Sequence, residues 1–119
     1  MTRHSDRVRL RHMLDHAAEA VELVSGKKRS DLDADRLLNL SLVRLLEIVG
    51  EAAARLSSET RDRYPQIPWL DIIGLRNRLI HGYDIVDFDI LWDIVHDDLA
   101  TLVSRLREVI ENLEEENRL

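Results

Sequence analysis

The sequence contains no cysteine, which excludes disulfides and thiolate metal sites and suits a reducing compartment. Glycine and proline are scarce as well, with four and two copies, and few segments alternate with period two, so little interrupts helices or favours strands. No apolar run approaches the roughly 18 residues of a membrane span, and the opening "MTRHSDRVRL" has no apolar leader. The expectation is a soluble, cytoplasmic chain with no membrane partner. What is present is 45% hydrophobic and 34% charged residues over 119 positions, enough for one domain, 1–119, with its own core. The net charge of -6 argues against a broad polyanion surface, because affinity for nucleic acid comes mainly from cations that displace counterions at phosphates. Acid is concentrated in "FDILWDIVHDDL" and "ENLEEENRL", whereas "RDRY" and "RNRLIH" are locally basic, so any nucleic-acid site is small and local.

Apolar residues recur at spacings of three and four. Leu10, Leu14, Ala17, Val21 and Val24 predict a first helix that stops at Gly26, where glycine can adopt the left-handed conformation. "SDLDAD" offers several N-caps, of which Asp33 is preferred, for a second helix carrying Leu38, Leu42, Leu45, Val49, Ala52 and Leu56. Gly50 inside that stripe costs about 1 kcal/mol relative to alanine, which predicts close approach of a neighbouring helix. "SSETRDRY" reads as a short helix capped by Ser57 or Ser58. A further helix starts near Pro68 or Trp69 and presents Ile72, Leu75 and Leu79. Asp87 caps a last helix lined by Phe88, Leu91, Val95, Leu99, Leu102, Leu106, Val109 and Leu113, whose final residues "EEENRL" are expected to fray. The fold class is therefore all-α, an up-and-down bundle of four main helices plus a short extra one. The narrow stripes also suit a homodimer.

One stretch stands out. "RNRLIHGYD" places Arg76, Asn77, Arg78, His81 and Tyr83 close together among apolar residues. On a continuous helix Arg76 and Tyr83 share a face and His81 lies about 140° from Arg76. Gly82 as a C-terminal cap would put His81 in the last turn, at the negative end of the helix, and Tyr83 outside it, so both could turn to one cleft. Histidine beside a permanently charged arginine is the minimum for cleaving RNA without a metal: one moves a proton, the other grips the scissile phosphate. Asn77, four residues before His81, would orient the imidazole or donate to phosphate, and Tyr83 could stack on a base. By residue type alone, a surface ion pair and a helix cap remain the alternative.

The motif resembles the R-x-x-x-x-H-x-Y signature of the HepT-like branch of the HEPN superfamily, and "EIVGEAAARLSSETRDRYPQIPW" and "DFDILWDIVHDDLATL" resemble the flanks of that family. The resemblance implies a HEPN-type helical-bundle homodimer with two motifs facing one cleft and metal-independent RNA cleavage with no cofactor. It implies a partner, a minimal nucleotidyltransferase antitoxin that attaches AMP to the motif tyrosine. By position, Arg76 and His81 are then the catalytic pair, Asn77 and Tyr83 support them, and Tyr83 is the AMPylation site. Arg78, a cation within the same stretch, is a further candidate for contact with RNA phosphate. The substrate would be a cellular RNA, transfer or messenger. The alternative within the family is a non-catalytic module that binds nucleotide or RNA and scaffolds the nucleotidyltransferase. A dimeric helical protein with no nucleic-acid role is the third reading.

Other candidates carry less. Glu51 either reaches the motif helix to pair with an arginine or is solvated. His12 and His16 have the i, i+4 spacing of two metal ligands but no third, so no metal site is expected. "HDD" at His96 to Asp98 reads as a solvated face. Trp69 and Trp92 are core or interface residues. Arg61 and Arg63 extend a phosphate track or balance neighbouring acids.

Overall fold

Helix α1, His4–Val24, buries Leu10, Met13, Leu14, Ala17, Ala20 and Val24, a stripe rotated slightly from the expected one so that Val21 is only half-buried. In the computed structural model, which describes residues 2–83 and 85–118, this helix packs against the second and last long helices. It ends at Val24, near the expected point, and Gly26, with φ 76°, lies in the turn that the Lys27 N–H closes by donating to the Val24 carbonyl at 2.9 Å. A short helix α2, Asp31–Ala34, follows.

Asp33 is not the cap of the next helix. It lies within α2 and pairs with Arg29 at 3.0 Å, while α3, Arg36–Ala54, is capped by Asp35, whose extended backbone lets its side chain accept from the Leu38 N–H at 3.1 Å. Buried Asn39 ties the two helices by donating to the Leu32 carbonyl at 2.9 Å. Gly50 meets its expectation, because a Cβ there would stand 3.0 Å from the carbonyl oxygen of Ile72 on the neighbouring helix. Ser57 caps α4, Ser58–Arg63. Its hydroxyl and that of Thr60 also donate to the buried carboxylate of Asp6 at 2.6 and 2.7 Å, binding α4 to the start of α1.

The expected motif helix is divided. Helix α5, Trp69–Ile73, and helix α6, Leu75–Leu79, meet at Gly74, yet Ile72, Leu75 and Leu79 stay buried across the break. Trp69 is core, its indole N–H shared between the carbonyls of Arg61 and Tyr64. The last rod starts with α7, Phe88–Asp93, passes through one π-helical turn, Ile94–Asp98, and continues as α8, Leu99–Arg118. Its expected stripe from Leu91 to Leu113 is buried. Helix α8 is helical to Arg118, and near its end Arg63 reaches Glu116 and Asn112 and Arg7 donates to Asn117. Leu119, the last residue of the segment expected to fray, lies outside the described residues. The four rods α1, α3, α5–α6 and α7–α8 form the all-α bundle, and no strand longer than a single bridge occurs among the described residues.

Candidate active site

Leu75 and Leu79 face the core and pin α6, which leaves Arg76, Asn77 and Arg78 on its exposed side. The helix then stops earlier than expected. Ile80 is extended, with φ -106° and ψ 117°, and forms an antiparallel bridge with Val86. The His81 N–H donates to the Ile85 carbonyl at 2.8 Å and the Asp87 N–H donates to the Leu79 carbonyl at 2.9 Å. A short hairpin-like loop therefore joins α6 to α7.

This changes the placement of the motif. His81 is not in the last helical turn but follows the extended Ile80. Asn77 is not its i, i+4 neighbour on a helix, because β-branched Ile80 leaves the helical conformation to pair with Val86. Gly82 does not cap α6 but turns the loop, with φ 126°, a region that L side chains rarely adopt. Tyr83 stands at the tip with its side chain fully exposed, and Ile85 beside it is exposed too. Asp84, the last residue of the quoted stretch, lies outside the described residues.

The loop brings together a pair that the sequence did not announce. Nε2 of His81 is 3.8 Å from Oδ2 of Asp87, with both side chains at least a third exposed. The other oxygen, Oδ1, caps α7 by accepting from the N–H groups of Asp89 and Ile90 at 3.0 and 3.1 Å. The capping role was legible, but the second was not. The signal available was Ile80 and Val86 flanking Gly82 and Tyr83, a hairpin pattern; with Ile80 paired to Val86, His81 stands opposite Ile85 and Asp87 opposite Leu79, so His81 and Asp87 are diagonal neighbours on one face. Arg78 also borders a groove of about 270 Å³ between α6 and the start of α8, shared with Asp98 and Arg105.

The remaining candidates sit elsewhere. Glu51 does not reach the motif helix but lies exposed, 3.9 Å from Arg44, about two turns earlier on its own helix. His16 contacts the His12 carbonyl through Nδ1 at 2.6 Å, and no group of three His, Cys, Asp or Glu gathers as metal ligands among the described residues. His96 pairs with Asp97 at 2.9 Å on an exposed surface and stacks on half-buried Trp92. Arg63 is engaged by Glu116.

A family model described as "Ribonuclease HepT-like" matches residues 13–113, a span that contains α3, the whole motif and Asp87. The chain belongs to the HepT-like ribonuclease family. Among the similar proteins, a candidate RNase of Caldanaerobacter subterraneus subsp. tengcongensis is 33% identical over 102 residues, covering 86% of this chain and 91% of the relative. The probable ribonuclease HepT of Thermococcus cleftensis is 32% identical over 100 residues, covering 81% and 91%. A candidate RNase of Methanocaldococcus jannaschii is 31% identical over 90 residues, covering 76% and 83%. No solved structure matches the chain. Among the described residues no helix is long and apolar enough to cross a membrane.

Proposed function

We propose that this HepT-like chain is the toxin of a toxin-antitoxin pair, a cytoplasmic RNA endonuclease that works as a homodimer and without a metal ion. The observation that carries the reading is a ribonuclease family match spanning a motif whose polar side chains, Arg76, Asn77, Arg78, His81 and Tyr83, are all exposed on α6 and the loop after it. Core packing does not account for them.

In the proposed reaction Arg76 grips the scissile phosphate through two parallel N–H groups, with Asn77 and Arg78 as further donors. His81 takes the proton of the 2'-hydroxyl as that oxygen attacks phosphorus. The P–O5' bond breaks, and the leaving oxygen receives a proton from a protonated imidazole, supplied by the second motif of the dimer. The products are a 2',3'-cyclic phosphate and a 5'-hydroxyl. General acid-base help of this kind contributes about 10² to 10⁴ in rate. Two copies of Arg76, Arg78 and His81 around one cleft would give an acidic protein a compact positive site.

Neutralisation is assigned to a nucleotidyltransferase antitoxin. The Tyr83 oxygen attacks the α-phosphorus of ATP, pyrophosphate leaves, the phenolic proton passes to a base of the transferase, and AMP remains on Tyr83. The full exposure of Tyr83 supports this, since the hydroxyl is open to a partner's active site. The added phosphate would compensate the positive cleft and obstruct the RNA path.

Growth of cells expressing the chain tests the proposal. Arg76→Ala and His81→Ala should each relieve toxicity while leaving the sedimentation of the dimer unchanged. Equal toxicity of parent and both variants would reject the catalytic assignment and leave the non-catalytic module.

A further inference from the structure

We propose that Asp87 is the positioning residue for His81, holding Nε2 of the imidazole through Oδ2 so that Nδ1 is the nitrogen presented to RNA. The inference rests on the ribonuclease reading of the motif for its purpose. The orientation itself can be measured without RNA.

Three features carry it. First, the carboxylate is fixed rather than loose: Oδ1 accepts two backbone N–H groups at the start of α7, which sets the plane of the group and the direction of its second oxygen. Second, the two residues are held as diagonal neighbours on one face of the hairpin by backbone, not by flexible side chains. The Leu79–Asp87 and His81–Ile85 hydrogen bonds and the Ile80–Val86 bridge determine their separation. Third, Asp87 is the acid within 4.0 Å of His81 among the described residues. At 3.8 Å the pair is short of a hydrogen bond, and in the proposed arrangement the exposed ring rotates to bring it to the 2.7–2.9 Å typical of charge-assisted bonds. A neutral imidazole donating from Nε2 to this carboxylate has its lone pair on Nδ1, ready to accept the proton of a 2'-hydroxyl. The positive ring that results is stabilised by the same carboxylate, the arrangement of a base oriented by a third group.

Asp87→Asn separates this role from capping. Asparagine caps as well as aspartate, and the cap requires its carbonyl oxygen, so the NH₂ is left facing Nε2. An amide donor there favours the tautomer with the proton on Nδ1, which is wrong for catalysis. The expected result is an unchanged unfolding midpoint, a kcat for RNA lower by about 10- to 100-fold with KM unchanged, and a reversed tautomer of His81. The tautomer is read by nitrogen-15 NMR of the full chain at a pH where the ring is neutral, with His81→Gln assigning the signal. Asp87→Ala, which removes the cap as well, should lower the midpoint. An Asp87→Asn variant with the parent's kcat and the parent's His81 spectrum would overturn the proposal and leave Asp87 as a cap alone. If the parent cuts no RNA and yet Asp87→Asn reverses the tautomer, the ribonuclease reading fails and the positioning of His81 stands.

Discussion

The carbonyl oxygen of Ile72 occupies the space in which a side chain on residue 50 would begin: a Cβ on Gly50 would lie 3.0 Å from it. Ordinary helix propensity favours alanine over glycine by about 1 kcal/mol, but here the obstacle is backbone, which cannot swing aside. Gly50→Ala should therefore lower stability by about 1 kcal/mol net, an overpacking cost of about 1–3 kcal/mol exceeding the propensity gain. Because α5 leads directly into α6, displacing it should also lower RNA cleavage. Thermal unfolding checks the first part, and a raised midpoint would show that the helices are not in close contact.

Asp6 is buried at the joint between α1 and α4. Burial pushes its pKa up, but hydrogen bonds from the Ser57 and Thr60 hydroxyls and the Ser57 N–H, with Arg9 at 3.6 Å, outweigh that and leave it below the ordinary carboxylate value. A depressed folded pKa adds stability that is fully present above the unfolded value near 4 and is lost as pH falls through the folded value. The parent should thus lose stability in acid more steeply than Asp6→Asn. At neutral pH Asp6→Ala should cost about 1–3 kcal/mol, since it strands donors that the carboxylate satisfied. Denaturant unfolding between about pH 7 and pH 3 measures both, and parallel pH profiles for parent and Asp6→Asn would contradict the assignment.

Gly26 and Gly82 both have positive φ, at 76° and 126°, but only Gly82 lies in the motif loop. Alanine at either position is strained by about 1–3 kcal/mol. The two substitutions should part in activity: Gly26→Ala should affect unfolding alone, while Gly82→Ala should also depress RNA cleavage by misplacing His81 and Tyr83. Equal activity in the two variants would mean that the loop conformation does not matter to the reaction.

The helical stripes were legible because burial in a bundle is nearly all that decides them, and Leu10, Leu42, Val49, Leu99 and Leu106 are buried as their spacing predicts. Where helices end was less so. Ile72, Leu75 and Leu79 keep one buried stripe across Gly74, so periodicity cannot register that break. The stop at Leu79 depends on Ile80 pairing with Val86, a contact made by the fold rather than by local preference. Asp35 rather than Asp33 caps α3 because residues 31–34 form a turn of their own. The motif residues were visible as a cluster of unusual types. Asp87 beside His81 was not, because that proximity follows from the loop.

The Tyr83 side chain is fully exposed, so its hydroxyl is not part of the packed core. Tyr83→Phe should unfold at the parent's midpoint and still cleave RNA, but should gain no AMP when incubated with ATP and the partner transferase. Intact mass reads the outcome, and addition of AMP to the phenylalanine variant would move the modification to another residue.

The most direct test of the account is cleavage of a mixed RNA pool, in excess chelator, by the unmodified chain beside its His81→Ala variant. The account predicts products ending in 2',3'-cyclic phosphate from the parent alone, with DNA left intact. Equal cleavage by the two proteins, or cleavage by the parent only when a divalent metal is supplied, would contradict it.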